Sequence, residues 1–414
     1  VDVCAIRLGS AEIDPRYLMR ALNSPVVRAQ IIALQSGSTR KRISRKNLAT
    51  VPIPIPPLNE QRRIVERVEA LFEEIDRGVE SLRAAKNAVA LYRQSLLKSA
   101  FEGSLTADWR AQNPDRLESP DALLARIRGE REARYRAAVD DWERAIAAWR
   151  KDSRKDRKPS KLKRPRTIPV DPTDNGIPGW ATIPLGLAIA DPIYGTSKKC
   201  GYGLGATSVL RIPNIGSGRI DSTDLKSADF DKVEFEKFSL REGDVLTIRS
   251  NGSLPIVGRP AIVMQQHTGF LFAGYLIRLR PISEILLSRY LIHLMIEPNV
   301  RAQIEAKAKS TSGVNNISAK ELQELNIPIC SPAEQAEVVR ILDARLEAAE
   351  LLDGEIDTNL ARADALRQSI LKRAFAGQLV PQHPDEEPAS ALLERIRAER
   401  AETPGKRRKA RVGV

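Results

Sequence analysis

The sequence predicts an α+β protein made of two copies of one unit, in which a strand-rich mixed domain is followed by a long helix. The two helices are expected to pair as an antiparallel coiled coil. Three observations predict this architecture. They are segments that recur along the 414 residues, long stretches with apolar residues at alternating three- and four-residue spacing, and short strand-like runs between Gly, Ser and Asn clusters.

The repeat consists of matching segments at a nearly constant spacing. Residues 16–18 (Arg-Tyr-Leu) recur as residues 289–291, a spacing of 273 (289 minus 16). After a one-residue difference, Glu60-Gln61 recurs as Glu334-Gln335 at a spacing of 274 (334 minus 60). The later spacing holds through further matches: 43–44 with 317–318, 53–55 with 327–329, 94–95 with 368–369, and 100–101 with 374–375.

The two copies differ in length. The second copy begins near Gly176, about a hundred residues before residues 275–279, whereas residues 4–8 already resemble that later segment. We therefore expect the first domain, residues 1–57, to lack most of its N-terminal part. The sequence leaves open whether this reflects a fragment, a mis-assigned start or a natural truncation.

Each copy continues into a predicted helix of about forty residues, or ~60 Å at ~1.5 Å per residue. The helices are placed at residues 58–104 and 332–378, each directly after a proline-containing segment. Because each apolar stripe needs a partner, the nearest candidate is the helix of the other copy; a generic coiled coil without particular function is the alternative. The expected helix-pairing residues are Val65, Val68, Phe72, Ile75, Val79 and Leu82 in the first helix, and Val339, Leu342, Leu346, Ile356 and Leu360 in the second.

Charged segments follow both helices. Residues 105–175 are predicted to form a helix from Pro120 to about Trp149 and then a basic linker, and residues 379–414 form a charged tail. The basic run at residues 154–166 cannot bury a core. It is either a solvated linker or a phosphate-binding segment, and the cluster at 406–409 has the same two interpretations.

Residues 176–331 form the predicted strand-rich domain. Strands are expected at 245–249, 260–264 and 275–279, separated by turn residues. The loops at 194–199 and 250–253 carry small, amide and cationic side chains. Such groups suit phosphate contacts and hydrogen bonds to base edges, although structural turns are the rival interpretation.

Charge favours a polyanionic partner, with nucleic acid first. Lys and Arg total 66 against 53 for Asp and Glu, a formal net charge of +13. The three cysteines lack Cys-x-x-Cys spacing and the three histidines add no zinc-ligand pattern. We expect a reducing, cytoplasmic setting and no metal. No apolar run approaches the ~20 residues that span a bilayer, so no membrane association is expected.

Catalytic motifs are absent from the sequence. Residues 201–205 are glycine-rich, but no Gly-Lys-Ser/Thr follows, so a phosphate-binding P-loop is not indicated. Asn113-Pro114 is followed by Asp115 rather than by the Pro-Tyr/Phe that completes the catalytic motif of amino-methyltransferases. Glu305-x-Lys307 has a form found in nucleases but lies in a predicted helix, where a solvated face explains it. The sequence therefore predicts a non-enzyme without a cofactor, and an enzyme that fuses nuclease and methyltransferase activities is disfavoured.

Several motifs together resemble the specificity subunit of type I restriction-modification enzymes. They are the Pro-Ile-Pro-x-Pro-Pro-Leu-x-Glu-Gln segment at 52–61, the Gly-Ser-Thr loop at 37–39 leading to Ile43-Ser44, the Gly-Asp-Val-Leu strand start at 243–246, and the helix end at 94–103. The order and duplication of these motifs extend over nearly the whole chain.

The resemblance implies two target-recognition domains held apart by an antiparallel helix pair, each recognising half of a split site in double-stranded DNA. Methyltransferase (modification) subunits carrying S-adenosylmethionine and a motor-nuclease (restriction) subunit using ATP would dock on this scaffold. The shortened first domain departs from the pattern. The alternative is therefore a truncated or silenced relative that acts only as a coiled-coil scaffold for partner subunits.

The candidate DNA-binding residues lie in polar loops. The loops at 36–42 and 310–316 occupy equivalent positions in the two copies but carry different tips, as expected when the fold is kept and base recognition varies. Arg pairs bidentately with guanine and Asn with adenine; phosphate contacts are expected from Lys198, Lys199, Arg249 and Arg259, and Asn315 and Asn316 have a turn as the alternative. The full set is Ser38, Thr39, Arg40, Lys41, Arg42, Thr196, Ser197, Lys198, Lys199, Arg249, Ser250, Asn251, Ser253, Arg259, Ser310, Thr311, Asn315 and Asn316.

Overall fold

The computed structural model of the chain describes residues 3–8, 10–38, 40–151, 158–159, 161, 176–311 and 313–402. The chain divides into two units, of which the first contains residues 1–89 with 350–414 and the second contains residues 90–349. Most of the predicted basic linker at 154–166 and the cluster at 406–409 lie outside the described residues.

The helices, numbered in chain order, lie in both units. Prolines at the first positions and Ser or Asp caps start several of them. The helix predicted from Pro120 to about Trp149 is present as α6. The bounds are α1 Pro15–Leu22, α2 Pro25–Ala33, α3 Arg45–Leu48, α4 Leu58–Phe101, α5 Ala107–Gln112, α6 Pro120–Lys151, α7 Lys232–Phe238, α8 Ser288–Ile296, α9 Pro298–Lys307, α10 Ala319–Gln323, α11 Pro332–Phe375 and α12 Ala389–Glu402.

The strands of the described residues all lie in the second unit. The three predicted strands are present there as β5, β7 and β9. The bounds are β1 Ala181–Pro184, β2 Ile193–Tyr194, β3 Thr207–Leu210, β4 Lys226–Ala228, β5 Val245–Ile248, β6 Ser250–Asn251, β7 Pro260–Ile262, β8 Leu271–Phe272, β9 Leu276–Leu279, β10 Lys309–Thr311, β11 Val314–Asn316 and β12 Asn326–Ile329.

Four small sheets organise the described part of the second unit. The central sheet has the antiparallel order β2-β9-β5-β7, with Thr247 of β5 opposite Ile277 of β9. A second sheet, β4-β3-β8, contains a parallel pair, and the sheets β10-β11-β6 and β1-β12 complete the set. Strand β5 is buried along its whole length, because it is covered on both faces.

The two long helices pair antiparallel, which confirms the predicted fold class. In the first unit Val65 and Val68, both fully buried near the start of α4, share an apolar cluster with Leu371 near the end of α11. In the second unit Leu97 near the end of α4 shares a cluster with Leu342 near the start of α11. The start of one helix therefore lies beside the end of the other in each unit.

Some of the other predicted pairing residues pack against these clusters, namely Phe72 and Ile75 in the first unit and Val339 and Leu346 in the second. The helices end at Phe101 and Phe375, slightly before the predicted ends, because Gly103 and Gly377 adopt left-handed φ values of 73° and 71°. Among the other stripe residues, Val79 and Ile356 are buried, and Phe72, Ile75, Leu82, Val339, Leu346 and Leu360 are half-buried.

A buried glutamine joins each long helix to the domain that precedes it. The Gln335 side chain, in the first turn of α11, donates to the carbonyl oxygens of Ile285 at 2.7 Å and Cys330 at 2.9 Å. Its Oε1 accepts from the amide of Leu287 at 2.9 Å. Gln61, in the first turn of α4, makes the three equivalent bonds, with Glu12, Pro56 and Asp14 at 3.0, 2.9 and 2.9 Å.

A tyrosine and an ionic cluster reinforce this junction in both copies. The hydroxyl groups of Tyr17 and Tyr290 donate to the carbonyl oxygens of Pro54 and Pro328 at 2.8 and 3.1 Å. In the second unit Asp343 of α11 accepts from Arg289 and contacts His293, each at 2.8 Å. Burial acts to raise the pKa of Asp343, but bonds and charge from His293 and Arg289 outweigh burial and lower it. The equivalent residues Arg16, Arg20 and Glu69 form the cluster in the first unit.

Replacing the buried glutamine by an apolar residue of similar length tests this joint. We expect Gln335→Met to lower the free energy of unfolding by about 2 kcal/mol or more, since three backbone groups lose their partner and each buried unsatisfied group costs ~1 to 3 kcal/mol. Urea unfolding followed by circular dichroism measures the change. The control is Glu347→Gln, an exposed position of the same helix. Equal stability of the two variants contradicts the proposed role.

Candidate nucleic-acid interface

Strand β5 is held at its start by an ion pair whose carboxylate is buried. The Asp244 side chain is 1% exposed and accepts two bonds from Arg280, from Nε at 2.6 Å and from an Nη at 2.7 Å. It also accepts from the backbone amide of Arg241 at 2.9 Å. Gly243 turns the chain here with a φ of 82°. The Gly-Asp motif at 243–244 therefore fixes where β5 begins.

The other end of β5 leads to Arg249, where three loops meet. The Arg249 amide donates to the carbonyl oxygen of Tyr275 at 2.9 Å, and its carbonyl oxygen accepts from the amide of Ile317 at 3.0 Å. The chain then continues into β6, which pairs with β11. These connections surround a cavity of about 300 Å3, here called the Arg249 cavity, lined by Arg249, Ser250, Gly274, Tyr275, Val314 and Asn316.

The side chain of Arg249 is supported from two directions. Its Nε donates to Oδ1 of Asn316 at 3.0 Å, and its guanidinium carbon lies 4.6 Å from the ring centroid of Tyr194. The Tyr194 hydroxyl accepts from the backbone amide of Ala319 at 2.9 Å, which holds the ring in place. Arg249 forms no ion pair with any residue that the structure describes. Its charge is therefore available at the cavity.

Asn315 and Asn316, the two asparagines predicted to contact bases, have different surroundings. Nδ2 of Asn315 donates across to the carbonyl oxygen of Gly252 at 3.1 Å, and it lies 3.4 Å from that of Asn251. Asn316 holds Arg249. Oδ1 of Asn251 accepts from the amide of Ser253 at 2.8 Å and shapes the turn after β6. These contacts give the asparagines structural roles in the free chain.

A second, wider cavity of about 1050 Å3 lies beside the loop at 194–199. Lys198 at its edge pairs with Glu234 at 3.2 Å and lies 5.0 Å from the ring of Phe230. Thr196 is buried, and its hydroxyl accepts from the amide of Lys198 at 3.1 Å. Lys198 and Thr196 are thus engaged within the domain, whereas Ser197 is exposed.

Other predicted cations carry no internal partner in the part of the chain that is described. The side chains of Lys199, Arg259, Arg40 and Lys41 form no hydrogen bond or ion pair with a described residue. Arg40 and Lys41 lie in a loop of the first unit. Two backbone hydrogen bonds between Ser36 and Arg42, of 2.8 and 2.9 Å, close this loop. Ser38 is exposed there, Thr39 lies outside the described residues, and nothing is described of the side chains of Ser310 and Thr311.

Sequence reasoning missed the aromatic residues of this surface. Tyr194 is 55 positions from Arg249 in the chain (249 minus 194), so no local pattern connects them. Tyr202 was also missed: it is 66% exposed, and Lys226 and Arg211 lie 5.4 and 6.0 Å from its ring centroid. An exposed tyrosine beside cations suits contact with nucleotides.

Other kinds of site are not formed by the described residues. No group of three or more His, Cys, Asp or Glu side chains among them is arranged to hold a metal ion. No helix among them combines the length and apolar character needed to cross a membrane.

A joint repeated at the start of two long helices, with cationic and polar loops on a strand-rich domain, is consistent with a DNA-recognition class of protein. A family model, the Type I restriction modification DNA specificity domain, matches residues 6–81 and 198–358. The chain belongs to this family, and it is a specificity subunit, the non-catalytic component that determines which DNA target is recognised.

Individual proteins show the same likeness. The chain is 27% identical over 417 residues to the Type I restriction enzyme EcoKI specificity subunit of Escherichia coli (strain K12), covering 98% of this chain and 76% of that protein. It is 25% identical to the StySPI specificity subunit of Salmonella potsdam, covering 95% and 74%. A solved structure, whose subject is complex assembly and conformational transition of the type I R-M system, matches with a TM-score of 0.59 at 20% identity. The match covers 89% of this chain and 72% of that chain, and it shows a similar fold.

Removing one partner of the buried ion pair tests the support of β5. We expect Arg280→Met to lower the free energy of unfolding by about 3 kcal/mol, because the buried Asp244 carboxylate loses its counter-charge. Arg241→Met is the control, since Arg241 is exposed and its bond to the same carboxylate comes from the backbone amide, which the substitution keeps. Chemical unfolding of both variants measures the difference. Comparable losses for the two would mean that the pair does not hold the strand.

Proposed function

We propose that this chain directs methyltransferase and ATP-dependent motor-nuclease subunits to a bipartite site in double-stranded DNA. The observation that carries the proposal is the repeated joint, in which Gln61 and Gln335 fasten two domains to one helix pair by the same three bonds. Two equivalent attachments of this kind suit two recognition domains for two half-sites. The names of the relatives, which are restriction enzyme subunits, support the enzymatic partners.

We assign the DNA contacts to the polar loops at 38–42, 196–199, 249–253, 259 and 310–316. Within them, Lys199, Arg259, Arg40 and Lys41 are the phosphate contacts, because their charges have no internal partner among the described residues. Lys198 contributes less, since Glu234 already neutralises it. Base recognition falls to side chains at the Arg249 cavity, which is lined by residues next to the ends of β5 and β9 and by residues of β6 and β11.

The assembled complex tests the proposed function. The purified chain alone should transfer no methyl group from S-adenosylmethionine to DNA, whereas the chain with its methyltransferase subunits should methylate duplexes from a random pool that share a split motif. Sequencing of the methylated duplexes identifies the motif. Methyl transfer by the chain alone contradicts the non-catalytic assignment, and methylation by the complex without sequence preference leaves only the scaffold alternative.

Salt dependence tests the phosphate contacts. Lys199→Ala and Arg259→Ala should each reduce the slope of log K against log salt by about 0.9, since each removes one released counterion. The loss should be similar on specific and random duplexes. Arg340→Ala is the control, because Arg340 is exposed but paired with Glu337 at 2.7 Å. A slope that is unchanged for both loop variants contradicts the assignment.

A further inference from the structure

We propose that Arg249 recognises a guanine in the half-site bound by the second recognition domain, and that Tyr194 and Asn316 are the residues that position it. This inference rests on the proposed function. It reverses the sequence-based expectation that Arg249 contacts phosphate, for reasons of geometry.

The first reason is that the guanidinium is held rigidly. The bond from Nε to Asn316 measures 3.0 Å, and the stack on Tyr194 measures 4.6 Å to the ring centroid. Backbone bonds on both sides of Arg249 also fix its Cα. A phosphate contact requires a charge but little orientation, whereas a base contact requires a fixed direction. A side chain supported in this way is suited to the second task.

The second reason is the set of donors that remains. Nε is committed to Asn316, and the two Nη atoms form no hydrogen bond with any described residue. They offer parallel N–H donors, the fork that matches O6 and N7 of guanine in the major groove. Adenine presents a donor at the position of O6, so the same fork discriminates against it.

The third reason is the composition of the Arg249 cavity. The described residues that line it include no carboxylate, so no internal anion competes for the guanidinium. Tyr275 and Val314 line it with side chains that are 64% and 43% exposed. They can cover the apolar face or the methyl group of a neighbouring base. Asn315 is less suited to direct recognition, because its amide already bonds to the turn after β6.

The test uses the full chain assembled with its methyltransferase subunits and a pool of duplexes randomised across the site. Bound duplexes are sequenced for the wild type and for Arg249→Lys, which keeps the charge but lacks the planar fork. We expect the wild type to require guanine at one position, and the variant to lose that preference by about 5- to 150-fold at that position alone. Arg340→Lys, at an exposed arginine outside the proposed DNA-binding loops, is the matched control and should leave the base preference at every position unchanged.

A second variant, Asn316→Ala, keeps Arg249 but removes its positioning bond, and should weaken guanine preference at the same position by a smaller factor. It also covers the case in which Arg249→Lys unfolds. If Arg249→Lys weakens DNA binding without changing the base preference at any position, Arg249 is a phosphate contact and the inference is wrong. The inference is also wrong if the preference changes at a position where the wild type does not select guanine. Absence of any sequence preference in the wild-type complex overturns the proposed function itself.

Discussion

The apolar seam between α4 and α11 is the constraint on which the rest of the structure depends. Each helix has 44 residues and carries an apolar stripe that water would otherwise cover. In the first unit Val65 and Val68 bury against Leu371, and in the second unit Leu97 and Leu342 share one core. Because the two pairings join opposite helix ends, they determine an antiparallel arrangement, and each mixed domain attaches where a helix begins.

The attachment explains which repeated residues are identical and which have changed. Gln61 and Gln335 are themselves buried and each pairs with three backbone groups, a task that no apolar side chain performs, and both copies retain glutamine. Caps and surface clusters admit substitutes: Ser24 caps α2 while Glu297 caps α9, and Arg20 in one cluster corresponds to His293 in the other. A side chain that accepts a hydrogen bond from a backbone amide suits the cap position, and a side chain with a nitrogen that reaches the helix carboxylate suits the cluster position.

Much of the fold could be predicted from the sequence because its signals are local or repeated. Periodicity located both long helices and three strands, and the spacing of 274 aligned the two joints. Contacts between distant loops had no such signal. Nothing in the sequence pairs Lys198 with Glu234, places Tyr194 beneath Arg249 or makes β3 and β8 parallel, since these depend on how the sheets meet. The loops of the candidate interface were therefore predictable as segments, but the role of each side chain was not.

The division between frame and loops also indicates how recognition can change while the fold is kept. The loop at 36–42 is closed by backbone bonds between Ser36 and Arg42, and the loop at 310–316 forms a hairpin on β6. Both closures use backbone atoms and so do not depend on the side chains of the loops, although Asn315 and Asn316 add side-chain bonds of their own. Substitutions on such surfaces typically change stability by less than about 0.5 kcal/mol, whereas an unsatisfied group at a joint costs ~1 to 3 kcal/mol. Under the proposed assignment of DNA contacts, selection for a new target can therefore act on the loops without disturbing the helix pair.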